Sequence, residues 1–194
     1  MKKRLILILA AVLLVVATAT VLFAMNVSAE TTYYDLWVAG TQVTSDTLSG
    51  SGWRYEPDTG TLVLNGFSYG SGGYGYRMSY DSNTKTDTYA FIYVKDTNRK
   101  AMNLNIRLEG AASTIGDTYL TGYTAVSAGG GYYSTYYGIY NPYGNVTITG
   151  SARLNIYTNQ LCINASNLNI NGSTVDLQAY SACASVTRLN VRDG

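Results

Sequence analysis

Apolar and polar residues alternate in a short motif that recurs along the second half of the chain. One copy is Asn145-Val146-Thr147-Ile148-Thr149-Gly150, and a second is Asn167-Leu168-Asn169-Ile170-Asn171-Gly172. A looser copy is Arg188-Leu189-Asn190-Val191-Arg192-Asp193-Gly194, and an earlier, longer one runs from Asn103 to Gly110. The first apolar residues fall at 104, 146, 168 and 189, so successive gaps are 42, 22 and 21 residues. The period is therefore 21 to 22 residues, with the first gap spanning two periods. Strict alternation places each apolar pair on one face of a strand. Such a strand cannot bury that face alone, whereas neighbours stacked at a fixed repeat can.

Parallel stacking at about 4.8 Å per layer predicts one column of Val146, Leu168 and Leu189 and a second of Ile148, Ile170 and Val191. Seven residues upstream of the first column lie Ile139, Leu161 and Ala182, and downstream come Leu154/Ile156 and Val175/Leu177. These make about three short strands per coil. Gly150 and Gly172 mark bends, and Asn145 and Asn167 suit corners that need a left-handed residue. The pattern predicts an all-β chain built as a right-handed parallel β-helix. An antiparallel sandwich is the competing arrangement, disfavoured by the regular spacing and the lack of Asn-Gly hairpin turns.

The pattern divides the chain into three parts. Residues 1–29 read as a signal peptide: Lys2-Lys3-Arg4 is basic, residues 5–25 are almost wholly apolar, and Val27-Ser28-Ala29 suits cleavage. The alternative is an uncleaved membrane anchor, since the apolar run is long enough to span a bilayer. Either way the remainder is expected outside a bacterial cell, secreted or at its surface. Residues 30–66 read as an N-terminal β cap. Strands flank a turn at Ala39-Gly40, and others flank Pro57-Asp58-Thr59-Gly60. Trp37, Trp53 and Tyr55 are large enough to cover an open solenoid end. Residues 67–194 are the expected β-helix, interrupted by Tyr/Gly-rich loops over 68–90 and 119–143, with an apolar strand resuming at 89–94. The sequence stops at Gly194 as a repeat strand begins its turn, with no capping segment after it, so a truncated chain is expected, the alternative being an edge capped by self-association.

Composition agrees with a β fold. Tyr (19) and Gly (20) are abundant, Pro (2) is rare, and only 13% of residues are charged. Without the first 29 residues, ten Lys and Arg stand against twelve Asp and Glu, a charge of −2 that offers nothing to nucleic acid. The absence of His removes Ser-His-Asp triads and most zinc sites, and no acid cluster has metal-loop spacing, so no cofactor or metal is expected. Cys162 and Cys183, 21 residues apart, should stack on adjacent coils as a disulfide or as paired thiols.

The segments YDLWVAGTQVTS and WRYEPDTGTLVLNGF, followed by NVTITGSARLNIYT and NLNINGSTVDL, resemble secreted β-helix proteins of gut Firmicutes described as carbohydrate-binding domain-containing. The resemblance covers most of residues 33–194. It implies a right-handed parallel β-helix, a secreted or cell-surface location and a role at glycans. It brings no catalytic motif.

Candidate chemistry rests on tyrosine. Its ring covers the C–H side of a sugar and its hydroxyl bonds to sugar hydroxyls. Tyr74, Tyr76, Tyr132, Tyr133, Tyr136 and Tyr137 are the candidate ligand-binding residues, and non-catalytic glycan binding or adhesion is the expected function. A polysaccharide lyase or glycoside hydrolase of the β-helix type is the alternative. It would need paired carboxylates. Asp176 and Asp193 have different offsets in their repeats and should not stack, while Asp35, Asp58, Asp81 and Asp87 fall in turns. A third alternative is a structural, self-assembling surface module. The outward columns Thr147/Asn169/Asn190 and Thr149/Asn171/Arg192 could hydrogen-bond along such a stack.

Overall fold

The computed structural model describes residues 30–70, 75–122, 126–127 and 133–192. The proposed signal peptide and Asp193 lie outside the described residues. The described chain is all-β, with a single turn of 3-10 helix at Leu120–Gly122.

Its first strands are antiparallel. β1 (Tyr33–Val38) and β2 (Thr41–Thr44) form a hairpin across Ala39 and Gly40. Both turn residues have positive φ, 52° and 78°, the combination that matches the twist of a two-residue hairpin. β3 (Ser49–Gly50), β4 (Trp53–Glu56) and β5 (Thr61–Leu64) continue antiparallel, the last two joined through the Pro57-to-Gly60 turn. After the short β6 (Ser68–Tyr69), β7 (Tyr76–Asp81) and β8 (Thr86–Val94) form a second hairpin. Asp81 closes it by accepting from the amides of Asn83 and Thr84, which holds its carboxyl below the usual range, and Lys85 takes a φ of 53°.

Parallel pairing dominates the remaining strands. These are β9 (Leu104–Leu108), β10 (Ser113–Gly116), β11 (Val126–Ser127), the 18-residue β12 (Tyr133–Gly150), β13 (Arg153–Thr158), β14 (Leu161–Asn171), β15 (Thr174–Ala179) and β16 (Ala182–Arg192). β12 lies parallel to β8, β9 and β14, and β14 lies parallel to β16.

The strands make two sheets. The smaller is parallel, in the order β15-β13-β10-β6. The larger has twelve strands and follows the path β2-β1-β8-β12-β9-β5-β4-β3, with β7, β11, β14 and β16 attached beside it. The two ends of that path are joined through residues 45–48, where Thr44 and Thr47 exchange backbone hydrogen bonds of 3.3 and 3.0 Å. The larger sheet is therefore mixed, barrel-like and nearly closed.

This overturns the expected right-handed parallel β-helix. A solenoid over residues 67–194 has no place for the antiparallel contacts of β7 with β8 or of β11 with β12, and the hairpins expected as a cap are part of the same sheet, β1 pairing with β8 and β5 with β9. Asn-Gly is too narrow a criterion for hairpins, because Ala39-Gly40 and the Asp81-capped turn achieve the same reversals. Two expected loops are also partly strands. The β7–β8 hairpin occupies much of 68–90, and β12 begins at Tyr133.

The core fills the space between the sheets. Leu104, Ile106, Val146, Ile148 and Leu168 of the larger sheet and Ile115, Leu154 and Ile156 of the smaller are all buried in one cluster. Within the repeat, Val146 is paired with both Leu104 and Leu168, and Leu168 with Leu189. Exposure along that column is 0, 0, 1 and 54%, so β16 is its outer edge. Gly150 has a φ of 101°, and a Cβ there would collide with the Leu108 carbonyl. Asn145 and Asn167 do not adopt positive φ. They act through their side chains instead. Asn167 Nδ2 donates to Asn145 Oδ1 at 2.6 Å, and the Asn145 amide donates to Asn103 Oδ1 at 3.0 Å.

Candidate functional site

An aromatic groove lies on the outside of the larger sheet, where β1, β7, β8 and β12 meet. Its rings are placed by register. β1 opposes Trp37 to Tyr93, and β8 opposes Tyr93 to Tyr140. The hairpin brings Tyr76 opposite Ala90. Tyr76 and Tyr93 stack with centroids 4.2 Å apart and planes 9° from parallel. Trp37 contacts both, at 4.9 and 5.5 Å. Tyr140 continues the row 6.0 Å from Tyr93, and Tyr137 meets Tyr140 edge-on at 5.2 Å. Such pairs hold rings in place beyond what burial alone supplies.

The row borders a groove of about 380 Å³ lined by Tyr93, Tyr137 and Tyr140. Met78, Ser79, Thr88 and Asp96 complete its lining. Partial burial raises the phenol pKa of Tyr93, helped by Tyr76, Asp96, Tyr140 and Asp35. Burial likewise raises Tyr140, with Tyr137, Tyr143 and Asp96 adding to it. It also raises Tyr137, against the opposing effect of a hydrogen bond with Gln160. The three phenols therefore stay protonated at neutral pH, each able both to donate and to accept.

Two buried asparagines shape this part of β12. Asn159 accepts the Tyr136 amide at 2.7 Å and donates to the Ser134 carbonyl at 3.0 Å. Asn141 donates to the carbonyls of Met102 at 3.0 Å and Asn145 at 3.3 Å. Between them Gly138 is required, since a Cβ there would collide with the Cys162 carbonyl and the Ile156 side chain. Tyr137 and Tyr140 stay half-buried on the groove side, while Ile139 is fully buried.

The tyrosines singled out from sequence divide among several environments. Tyr76 and Tyr137 belong to the aromatic site. Tyr136 does not. It is buried and packs in the core against Tyr89 at 5.6 Å and Phe91 at 5.4 Å. Tyr74 and Tyr132 lie outside the described residues. Tyr133 opens β12 opposite Thr86, and its side chain is outside the described part of the molecule. Trp37, Tyr93, Tyr140 and Asp96 are members that sequence reasoning missed. A signal for two of them was present: Thr88-Tyr89-Ala90-Phe91-Ile92-Tyr93 matches Thr135-Tyr136-Tyr137-Gly138-Ile139-Tyr140 at a spacing of 47 residues. The strands pair in that register. Of the three expected lid residues, Trp53 and Tyr55 are buried, whereas Trp37 joins the outer row.

Other candidate groups lie elsewhere. Cys162 and Cys183 are both free, the first buried and the second exposed. Burial pushes the Cys162 thiol up to about 11, and its single proton has two carbonyl acceptors within reach, Gln178 at 3.2 Å and Ile156 at 3.3 Å. Asp176 accepts from Gln178 at 3.4 Å on the smaller sheet. Asp87 is paired with Arg77, whose guanidinium also lies 5.2 Å from the Tyr80 ring centre. Among the described residues, no group of three or more His, Cys, Asp or Glu side chains is placed to hold a metal ion.

A second polar cluster crosses β4, β5 and β9. Arg107 bonds Glu56 and Glu109, each at 2.7 Å, and Arg54 reaches Glu109 at 3.0 Å and Glu56 at 3.3 Å. The two arginines lie opposite Val63 on either side, and Val63 is 1% exposed although it points away from the main core cluster. The ring of charges thus acts as a cover, with arginine stems shielding an outward apolar side chain. Every charge in it is paired within the ring, which suits a structural role. No protein-family model, curated protein or solved structure matches this chain.

Proposed function

We propose that this protein is a non-catalytic carbohydrate-binding protein acting in a secreted or cell-surface setting, and that Trp37, Tyr76, Tyr93, Tyr137 and Tyr140 form its contact surface. The observation that carries this reading is the ordered aromatic row beside an open groove with hydroxyl and carboxylate walls. Sugars offer apolar C–H patches between hydroxyls. Rings satisfy the first, and Ser79, Thr88, Asp96 and the phenol hydroxyls satisfy the second. The rings hold one another in place, so little side-chain freedom is lost on binding. The basic, apolar start of the chain and the resemblance of residues 33–194 to secreted carbohydrate-binding proteins point the same way.

A glycan array followed by calorimetric titration tests the proposal. Tyr93→Ala and Tyr140→Ala should each weaken binding of any glycan that scores by at least tenfold, which is about 1.4 kcal/mol or more for a central aromatic contact. Tyr180→Ala, an exposed tyrosine outside the groove lining, should leave it unchanged. Equal binding by all three variants, with circular dichroism unaltered, would remove the groove from the function.

A further inference from the structure

We infer that the groove selects a sugar unit carrying a free, protonated amino group, a 2-amino-2-deoxyhexose, over its N-acetylated or hydroxyl counterpart. This rests on the carbohydrate-binding reading and narrows its ligand.

Charge sets the preference. Among the described residues, Asp96 is the only charged one lining the groove. Within the same set it forms no salt bridge, in contrast to Asp87 nearby, which is paired with Arg77. Lys95 is adjacent in sequence, but it is exposed and does not line the groove. Asp35 lies close enough to Tyr93 to add its negative field to that of Asp96. The tyrosine rings contribute in the same sense, since the π-face of each carries partial negative charge and attracts a cation. A neutral sugar would leave the Asp96 carboxylate to solvent or a single hydroxyl. An ammonium group would meet the carboxylate, the ring faces and the phenol oxygens together. N-acetylation would remove that charge and add bulk at the same atom.

The test compares the full chain titrated with a glucosamine tetramer and with the matched N-acetylglucosamine tetramer, at low salt and mildly acidic pH, where the sugar amines are protonated. The amino form should bind about fivefold to tenfold more tightly, the scale of one partly exposed charge contact. Asp96→Asn should bring the two affinities together by weakening only the amino form. Asp176→Asn, on the other sheet, removes the same bulk charge and should leave the preference intact. Equal affinities in the unaltered protein, or a preference that survives in Asp96→Asn, would overturn the inference. If neither tetramer binds while a neutral glycan does, and Tyr93→Ala abolishes that binding, amine selectivity is wrong and the carbohydrate reading stands. If no glycan binds at all, both fall.

Discussion

The two halves of the larger sheet reach the same end by different means. In the half built from β9, β12, β14 and β16, order comes from repetition. Matching offsets put Leu104, Val146, Leu168 and Leu189 in one file, with Ile106, Ile148, Ile170 and Val191 in another. In the half built from β1 to β5, β7 and β8, no strand copies another of the same half, and only β8 echoes β12. There, register is set by turns with particular backbone geometry, by ring stacking and by a ring of four charges. Repetition is economical but yields a uniform surface. Irregular antiparallel strands bring unlike side chains together, and the aromatic groove forms where the two halves touch.

The contrast should be strongest in the repeat core. Ile148→Ala should destabilise the fold by roughly 2–5 kcal/mol, because truncating a fully buried residue between two strands leaves a cavity. Val191→Ala, at the same position in the exposed edge strand, should stay within about 0.5 kcal/mol. Chemical denaturation of the pair measures the gradient along one file, and equal losses would show that the file does not act as a graded core. Gly150→Ala should follow at roughly 1–3 kcal/mol, since it forces a side chain into the left-handed region against the Leu108 carbonyl. Asn167→Ala should cost about 0.5–1.5 kcal/mol, the worth of its bond to Asn145.

The charge ring in the other half should matter least, and in a pH-dependent way. Glu56 and Glu109 are both held below their ordinary pKa, chiefly by hydrogen bonds from Arg107. A depressed carboxyl contributes stability that is complete above the unfolded-state pKa, about 4.3, and fades as pH falls through the lower folded value. The melting temperatures of the parent and of Glu56→Gln/Glu109→Gln should therefore differ at pH 7 and converge in acid. Both carboxylates are at the surface, so the gap should also shrink in high salt.

The spacing of aliphatic residues made the files of the repeat legible, and Val146 does lie beside Leu168 in parallel register. Extending that pattern to a solenoid over all of residues 67–194 gives the wrong architecture. Antiparallel partners such as β1 and β8 are set by side-chain chemistry more than 50 residues apart in sequence, with no shared motif to reveal them. The tyrosine-rich segments misled in another way. Gly and Ser made 68–90 resemble a loop, although tyrosine itself favours strands. Tyr76 and Tyr137 could be named because they sit in a biased run. Trp37 reads from sequence as part of a cap and Asp96 comes from an unremarkable stretch, and only folding places them at the same groove.

β12 hydrogen-bonds with β8, β9, β11 and β14. A strand shared in this way denies the molecule a seam. Neither half can peel off while the other stays intact, because the same backbone would have to surrender both sets of partners. Amide deuteration along its paired positions should thus be the slowest in the chain, and heating should melt repeat and hairpins in a single step.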